Sequence, residues 1–151
     1  DFDLGEIIDD VLQITQPEII SRKIQIEKSI DPNLIVQTNR SEIQQVLLNL
    51  INNAIQALSS SQQANKKIWI GARFTQSGIE ISIADNGDGI SPQTQSNLFE
   101  LLADSQKKGM GLGLWLCKHI VTRHGGTILF ESHPSGGAKF IVKLPLKSAM
   151  A

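Results

Sequence analysis

The chain has 151 residues, with 14 Lys and Arg residues against 15 Asp and Glu residues, so its formal net charge is −1. This length suits one domain with a substantial core. A sequence pI near 6.3 argues against a nucleic-acid partner, because nucleic-acid-binding faces usually carry a strong excess of basic residues. No apolar run approaches the length of a membrane span, and no secretory signal opens the chain.

These features predict a cytoplasmic domain, and they leave open whether the parent protein is membrane-anchored. The chain opens without an initiator methionine, which indicates a piece of a longer protein. Its one cysteine, Cys117, cannot form an internal disulfide and lies in an apolar helical pattern, so we expect it to pack in the core.

The first 37 residues predict a helix and two short strands. Apolar residues at helical spacing favour a helix over residues 3–21, with Pro17 where it would kink or interrupt that helix. Residues 23–30 alternate apolar and polar, and the turn sequence "DPN" separates them from the apolar residues 34–37. We therefore expect two strands joined by that turn.

A second helix is predicted from the next segment. Asn39 or Ser41 can cap it, and Glu42 is placed for a capping box if Asn39 is the cap. The residues at three-and-four spacing predict its core face: Ile43, Val46, Leu47, Leu50, Ile51, Ala54 and Leu58.

The same helix carries a row of neutral amides. Gln45, Asn49, Asn53 and Gln56 recur at intervals of four and three, so they share a second face. Asparagine is a poor guest in a helix interior. The row is either a solvated face in an amide-rich chain or a ligand-facing surface, because amide oxygens suit a site for Mg²⁺ and phosphate.

The second half predicts two hairpins and two helices. "IWIGARF" and "IEISIAD" alternate as an antiparallel pair, and Ser91 with Pro92 begins a short helix. "GLGLWLCKHIVTRH" is a longer helix that ends at "GG", and "TILFES" with "AKFIVKLPL" makes the second hairpin. This order favours an α/β two-layer sandwich, with a mixed, mostly antiparallel sheet of about five strands on about three helices.

Two glycine-rich stretches lie at element ends. "DNGDGI" follows a strand, and "KKGMGLGL" places three glycines before a helix, where backbone N–H groups and the helix dipole favour an anion. The second stretch lacks the G-K-[ST] of a P-loop, and its third glycine is one residue early for a dinucleotide fingerprint. Alone, the first is ordinary turn chemistry and the second a flexible loop.

Taken together and in this order, the motifs resemble one family. "QVLLNLINNAIQAL" is similar to the N box, "DNGDGI" to the G1 box, "NLFELL" to the F box and "GMGLGL" to the G2 box of sensor histidine kinase ATP-binding domains. That Bergerat-fold group also includes gyrase, mismatch-repair and heat-shock chaperone ATPases. The resemblance implies that residues 1–151 form a single ATP-binding catalytic domain, with 1–22 as an interdomain linker helix.

The resemblance implies roles for individual residues. Asn53 would ligate Mg²⁺, Asn49 would lie near the phosphates, and Asp85 would accept a hydrogen bond from the adenine amine and so select ATP over GTP. Asn49 and Asn53 would be the catalytic residues. The other nucleotide-binding positions that it implies, around the pocket and its lid, are Gly87, Gly89, Ile90, Lys107, Lys108, Gly109, Gly111, Leu112, Gly113 and Leu114.

The same resemblance implies the reaction. Hydrolytic relatives have a glutamate at the position of Asn49, and an amide cannot act as a general base, so phosphoryl transfer to a protein side chain is favoured. The family's acceptor is a histidine on a dimeric helical domain that this chain lacks, and a response regulator receives the phosphoryl group. His119, His124 and His133 lack an acceptor motif and are interpreted as surface or packing residues. The isolated domain would be a monomer and the parent a homodimer.

The sequence departs from the family pattern at two places, and two other functions are alternatives to this interpretation. Gln56 stands where many relatives have a phosphate-contacting Lys or Arg, and "LLADSQKK" is short, so the lid lysine would be Lys107 or Lys108. One alternative is a regulatory module or pseudokinase that binds ATP without transferring phosphate. Another is a serine kinase of the anti-sigma-factor type, which shares the fold and these motifs.

Overall fold

Helices and strands follow one another in the predicted order, except that a two-residue strand precedes the first helix. The computed structural model describes residues 2–100 and 110–145. The helices are α1 (Leu4–Ser21), α2 (Arg40–Ser59), α3 (Pro92–Gln95) and α4 (Met110–Arg123). The strands are β1 (Phe2–Asp3), β2 (Gln25–Ile30), β3 (Ile35–Val36), β4 (Lys67–Thr75), β5 (Gly78–Asp85), β6 (Thr127–Ser132) and β7 (Ala138–Pro145).

The main sheet has five strands in the order β2-β4-β5-β7-β6. Strand β2 runs parallel to β4, and the other three neighbouring pairs are antiparallel. Both predicted hairpins, β4–β5 and β6–β7, are formed. A two-stranded antiparallel sheet of β1 and β3 lies beside the main one. The predicted fold class, a mixed and mostly antiparallel sheet packed with helices, is confirmed.

Helix α2 is the centre of the helical layer, because it contacts α1, α4 and strand β5. All seven apolar residues that the spacing assigned to its core face are buried, and Ile55 joins them. Cys117 of α4 is fully buried in the same cluster, so its predicted place in the core is confirmed. The apolar face of α2 therefore joins both neighbouring helices to the sheet.

Capping fixes where α2 begins, and it corrects part of one prediction. Asn39 is the cap, and its Oδ1 accepts a hydrogen bond from the Glu42 N–H at 3.1 Å. The predicted reciprocal bond from the Glu42 side chain is not made. One oxygen of that carboxylate instead binds the Arg123 guanidinium and the other lies next to the His124 ring, both at the end of α4, and the sequence spacing could not reveal these partners.

Helix α1 is continuous through Pro17 and packs into the common core. Leu4, Ile7, Ile8 and Val11 are fully buried in one cluster with the apolar residues of α2. The proposed role of residues 1–22 as a linker between domains stays a prediction. Within the described ranges, 2–100 and 110–145, the structure contains no helix with the length and apolar character of a membrane span.

Leu47→Ala should lower the free energy of unfolding by about 2–5 kcal/mol, because it removes a fully buried side chain from the core face of α2. Urea denaturation followed by circular dichroism measures the change. Ile20→Ala, at a position that is 65% exposed on α1, is the control and should change stability by about 0.5 kcal/mol or less. Equal losses in the two variants would contradict the assignment of the core.

Candidate functional site

A cavity of about 330 Å³ opens where the last turns of α2 meet the end of β5 and the start of β7. Ala138 and Phe140 of β7 and Ile90 supply apolar surface, and the polar groups come from α2, from the end of β5 and from the loop after it. The residues that line it are Asn53, Gln56, Ala57, Ser60, Asp85, Asp88, Gly89, Ile90, Ala138 and Phe140. It thus combines an apolar surface with a few converging polar groups, as small-molecule sites usually do.

Asn53 presents an amide without a protein partner to this cavity. Its Nδ2 atom is buried and has no hydrogen-bond partner among the described residues. A buried donor left unsatisfied costs about 1–3 kcal/mol, so a native structure seldom carries one without a reason. The amide therefore fits a bound group that supplies the missing contact.

Asp85 is the buried acid of the cavity. It ends β5 with only 3% of its surface exposed, and its Oδ1 accepts a hydrogen bond from the Gly87 N–H at 2.8 Å. Burial raises the pKa of the carboxyl, although hydrogen bonds from the Gly87 and Ala138 backbones act in the opposite direction. A carboxylate has about four acceptor positions, so capacity remains for a ligand donor.

Two glycines hold the loop after β5 in place. A Cβ on Gly87 would lie 3.0 Å from the Ala57 carbonyl oxygen of α2. Gly89 has φ +79°, and a Cβ there would lie 2.9 Å from the Gly136 carbonyl oxygen. The sequence suggested that these glycines admit a ligand; in the structure they admit close contact with the protein's own backbone.

The β6–β7 turn packs against the backbone of Asp85, a contact that the sequence did not predict. A Cβ on Gly137 would lie 2.0 Å from the Asp85 carbonyl oxygen, and the Ser135 hydroxyl donates to that same oxygen at 3.4 Å. The sequence "HPSGG" predicted only a hairpin turn. Its paired glycines indicate a close approach of another segment, but the sequence alone cannot identify Asp85 as the residue that approaches.

Asn49 lies one turn before Asn53 and faces helix α4. Its Oδ1 accepts a hydrogen bond from the Gln45 side chain at 2.9 Å, and its Nδ2 donates to the Gly113 carbonyl at 3.4 Å. The amide row is therefore split. Asn53 and Gln56 line the cavity, whereas Gln45 and Asn49 form the join between α2 and the beginning of α4.

Comparison with known proteins assigns the family. Residues 38–148 match the family described as histidine kinase-, DNA gyrase B- and HSP90-like ATPase. The chain belongs to this ATPase family. The match includes Asn53, Asp85 and both glycine-rich stretches.

Relatives of this ATPase domain are sensor kinases. The sensor protein FixL of Bradyrhizobium diazoefficiens is 35% identical over 82% of this chain, which spans 25% of FixL. The catalytic domain of histidine kinase ThkA, in a nucleotide-free form, is 30% identical with a TM-score of 0.83, and the match covers 96% of this chain and 95% of that one. ThkA in complex with the response regulator protein TrrA is 26% identical, with a TM-score of 0.80, over 99% of this chain and 42% of that one.

The other predicted residues of the ATPase site fall into four groups. Gly89 and Ile90 line the cavity, and Leu114 is fully buried in the core. Helix α4 begins at Met110, so Gly111, Leu112 and Gly113, the last of which contacts Asn49, lie in its first turn; the prediction that Gly111 and Gly113 precede the helix is wrong. The remaining predicted residues, Lys107, Lys108 and Gly109, lie outside the described residues.

The three histidines of the ATPase domain make packing or surface contacts. The rings of His119 and Trp115 stack with their centroids 5.3 Å apart, and His133 lies 4.6 Å from the ring centroid of Trp69. His124 contacts Glu42 and Thr38 through its two ring nitrogens. These contacts agree with their interpretation as packing or surface residues.

Asp85→Asn should stabilise the protein relative to wild type increasingly as pH rises. Because the folded state raises the pKa of Asp85 above its ordinary 3.8, the unfolded chain ionises first, and wild-type stability falls as pH rises between those two values. Any loss of the hydrogen bond from the Ala138 backbone in this variant changes stability by the same amount at every pH. Chemical denaturation of both proteins from pH 3 upward, in steps of about half a unit, measures the difference. A flat difference, or a decrease, would contradict the raised pKa.

Proposed function

We propose that this domain binds Mg-ATP and transfers the γ-phosphoryl group to a histidine on a separate, dimeric phosphoacceptor domain of the same parent protein. A response regulator then receives the phosphoryl group. The observation that carries this proposal is the meeting of Asn53 and Asp85 in one cavity, with an unpartnered amide nitrogen at one side and a buried acceptor at the other.

The adenine end of the site would be the apolar floor beside Asp85. Phe140 and Ile90 supply apolar surface for a flat ring, and the Asp85 carboxylate accepts the hydrogen bond of an exocyclic amine. Guanine carries a carbonyl oxygen at the corresponding position. With GTP, the guanine carbonyl oxygen and the Asp85 carboxylate would both be acceptors with no proton to share, which disfavours GTP binding.

The phosphate end would be the polar side formed by α2. Among the described residues, the lining carries two carboxylates, Asp85 and Asp88, and no cationic side chain. A triphosphate there needs positive charge from another source, and Mg²⁺ supplies charge neutralisation when it is bound. The side-chain oxygen of Asn53 can hold such an ion without adding charge repulsion, and its unpartnered Nδ2, which is a donor, fits an oxygen atom in the coordination shell of the ion.

The state of Asn49 favours transfer over hydrolysis. Its oxygen accepts a hydrogen bond from Gln45 and its nitrogen donates to the Gly113 carbonyl, so this amide holds α2 against α4. A neutral amide also cannot remove a proton from water. In the proposed reaction, the bond between the γ-phosphorus and the β,γ-bridging oxygen breaks as a bond from that phosphorus to an imidazole nitrogen forms, and ADP leaves.

Similarity to sensor kinases supports the partners in this proposal. FixL is named a sensor protein, and ThkA has been crystallised with a response regulator protein. The chain spans 25% of the length of FixL, so the activity and partners of the whole protein are proposed rather than compared. We further propose that the domain is cytoplasmic and monomeric when isolated, and that its parent is a homodimer.

Asn53→Ala should weaken ATP binding in Mg²⁺ by about tenfold or more, the scale on which loss of a metal-site contact acts. Without Mg²⁺ the variant and wild type should bind equally. Isothermal titration calorimetry with ATP and with GTP measures both conditions. Asn52→Ala is the matched control, because Asn52 is the exposed neighbour on the same helix.

The same titrations test Asp85. Asp85→Ala should remove the preference for ATP over GTP, whereas Asn52→Ala should keep it. Equal effects of Asn52→Ala and Asn53→Ala, or a wild-type protein that does not distinguish ATP from GTP, would contradict the assigned site.

Phosphoryl transfer itself is tested with the full-length parent protein and γ-labelled ATP. Label should appear on protein in an acid-labile, base-stable form, as expected for phosphohistidine, and Asn53→Ala should remove it. Release of free phosphate without labelled protein would indicate hydrolysis and contradict the proposed transfer.

A further inference from the structure

Helices α2 and α4 are joined by polar contacts at three successive levels. Nearest the cavity, the Asn49 side chain donates to the Gly113 carbonyl at 3.4 Å. One turn away, the Cys117 thiol contacts the Val46 carbonyl at 3.7 Å. At the far end, the Glu42 carboxylate binds both Arg123 and His124.

The positions of these contacts fix an antiparallel register. Residue numbers fall along α2 from Asn49 through Val46 to Glu42 as they rise along α4 from Gly113 through Cys117 to Arg123. Sliding α4 by one turn, about 5.4 Å, would break every level at once. The two helices can therefore make all these polar contacts at only one position of α4 along α2.

The Glu42 level is the only one of the three that includes an ion pair between two full charges, the Glu42 carboxylate and the Arg123 guanidinium. One carboxylate oxygen binds the Arg123 guanidinium, and the other lies 2.9 Å from His124 Nε2. The opposite ring nitrogen of His124 lies 3.1 Å from the Thr38 hydroxyl, so the imidazole is held from both sides. Hydrogen bonding from Arg123, then from His124, lowers the pKa of Glu42, and the carboxylate remains charged at neutral pH.

We propose that Glu42 is a positioning residue for nucleotide binding: it holds α4 in the register that brings the Gly113 carbonyl to Asn49. The Glu42 side chain is two helical turns from Asn49 and is not among the residues that line the cavity. Its effect on the nucleotide would therefore pass through α4, whose first turn carries Gly111 and Gly113 of the proposed nucleotide site. This inference rests on the proposed nucleotide-binding function.

A second ion pair provides the contrast that the experiment needs. Asp10 of α1 binds Arg40, which is two residues before Glu42 at the same end of α2. That pair also joins two helices through a carboxylate and a guanidinium, but it does not involve α4. Asp10→Ala therefore removes a comparable contact without releasing the register between α2 and α4.

The experiment measures ATP affinity, in Mg²⁺, and unfolding free energy for wild type, Glu42→Ala, Glu42→Gln and Asp10→Ala. We expect Glu42→Ala to weaken ATP binding by about 3- to 10-fold, a usual scale for residues that act through a packed neighbour. Asp10→Ala should lower stability comparably and change affinity by less than about twofold. Glu42→Gln, which keeps an acceptor for Arg123, should lie between wild type and Glu42→Ala.

A charge exchange separates positioning from a general loss of stability. Glu42→Arg combined with Arg123→Glu restores an ion pair between the helices and should recover much of the ATP affinity that either single change loses. Equal loss of affinity in Glu42→Ala and Asp10→Ala, unchanged affinity in Glu42→Ala, or no recovery in the exchange would overturn the positioning role. A wild-type protein that fails to bind ATP would instead overturn the proposed function on which this role rests.

Discussion

Helix α2 must bury one face and keep a second face polar, and the rest of the domain is arranged around that constraint. Its apolar residues join α1, α4 and the sheet in one core. The polar face then has fixed neighbours: the cavity beside Asn53 and the start of α4 beside Asn49. Because a helix places both faces on one rigid rod, packing the core also orients the amides.

Among residues 2–100 and 110–145, the buried carboxyl of Asp85 is held by backbone groups and by no counter-ion. Glycines at 87 and 137 bring the chain within contact distance, and N–H groups from the loop after β5 and the start of β7 compensate part of the burial. The part of the chain that the structure describes therefore places no fixed positive charge beside this carboxyl. A ligand donor can therefore meet the carboxylate directly, with no salt bridge to displace.

The sequence predicted the elements well because their signals are local. The apolar face of α2, both hairpins and the Asn39 cap follow from spacing and turn chemistry, and all are present. Asn53 and Asp85 came from motif resemblance, and they do line one cavity. The role of Gly137 and the partners of Glu42 were missed, since both depend on which distant segments meet across the fold. Only the tertiary arrangement brings residue 137 to 85, or 42 to 123.

The most direct test of the central claim is a crystal structure of the domain with Mg²⁺ and a non-hydrolysable ATP analogue. We expect the adenine amine at hydrogen-bond distance from the Asp85 carboxylate, and the Asn53 amide in contact with the metal or with the phosphates of the nucleotide. A nucleotide bound away from these two side chains, or an adenine ring turned so that its amine faces solvent, would contradict it.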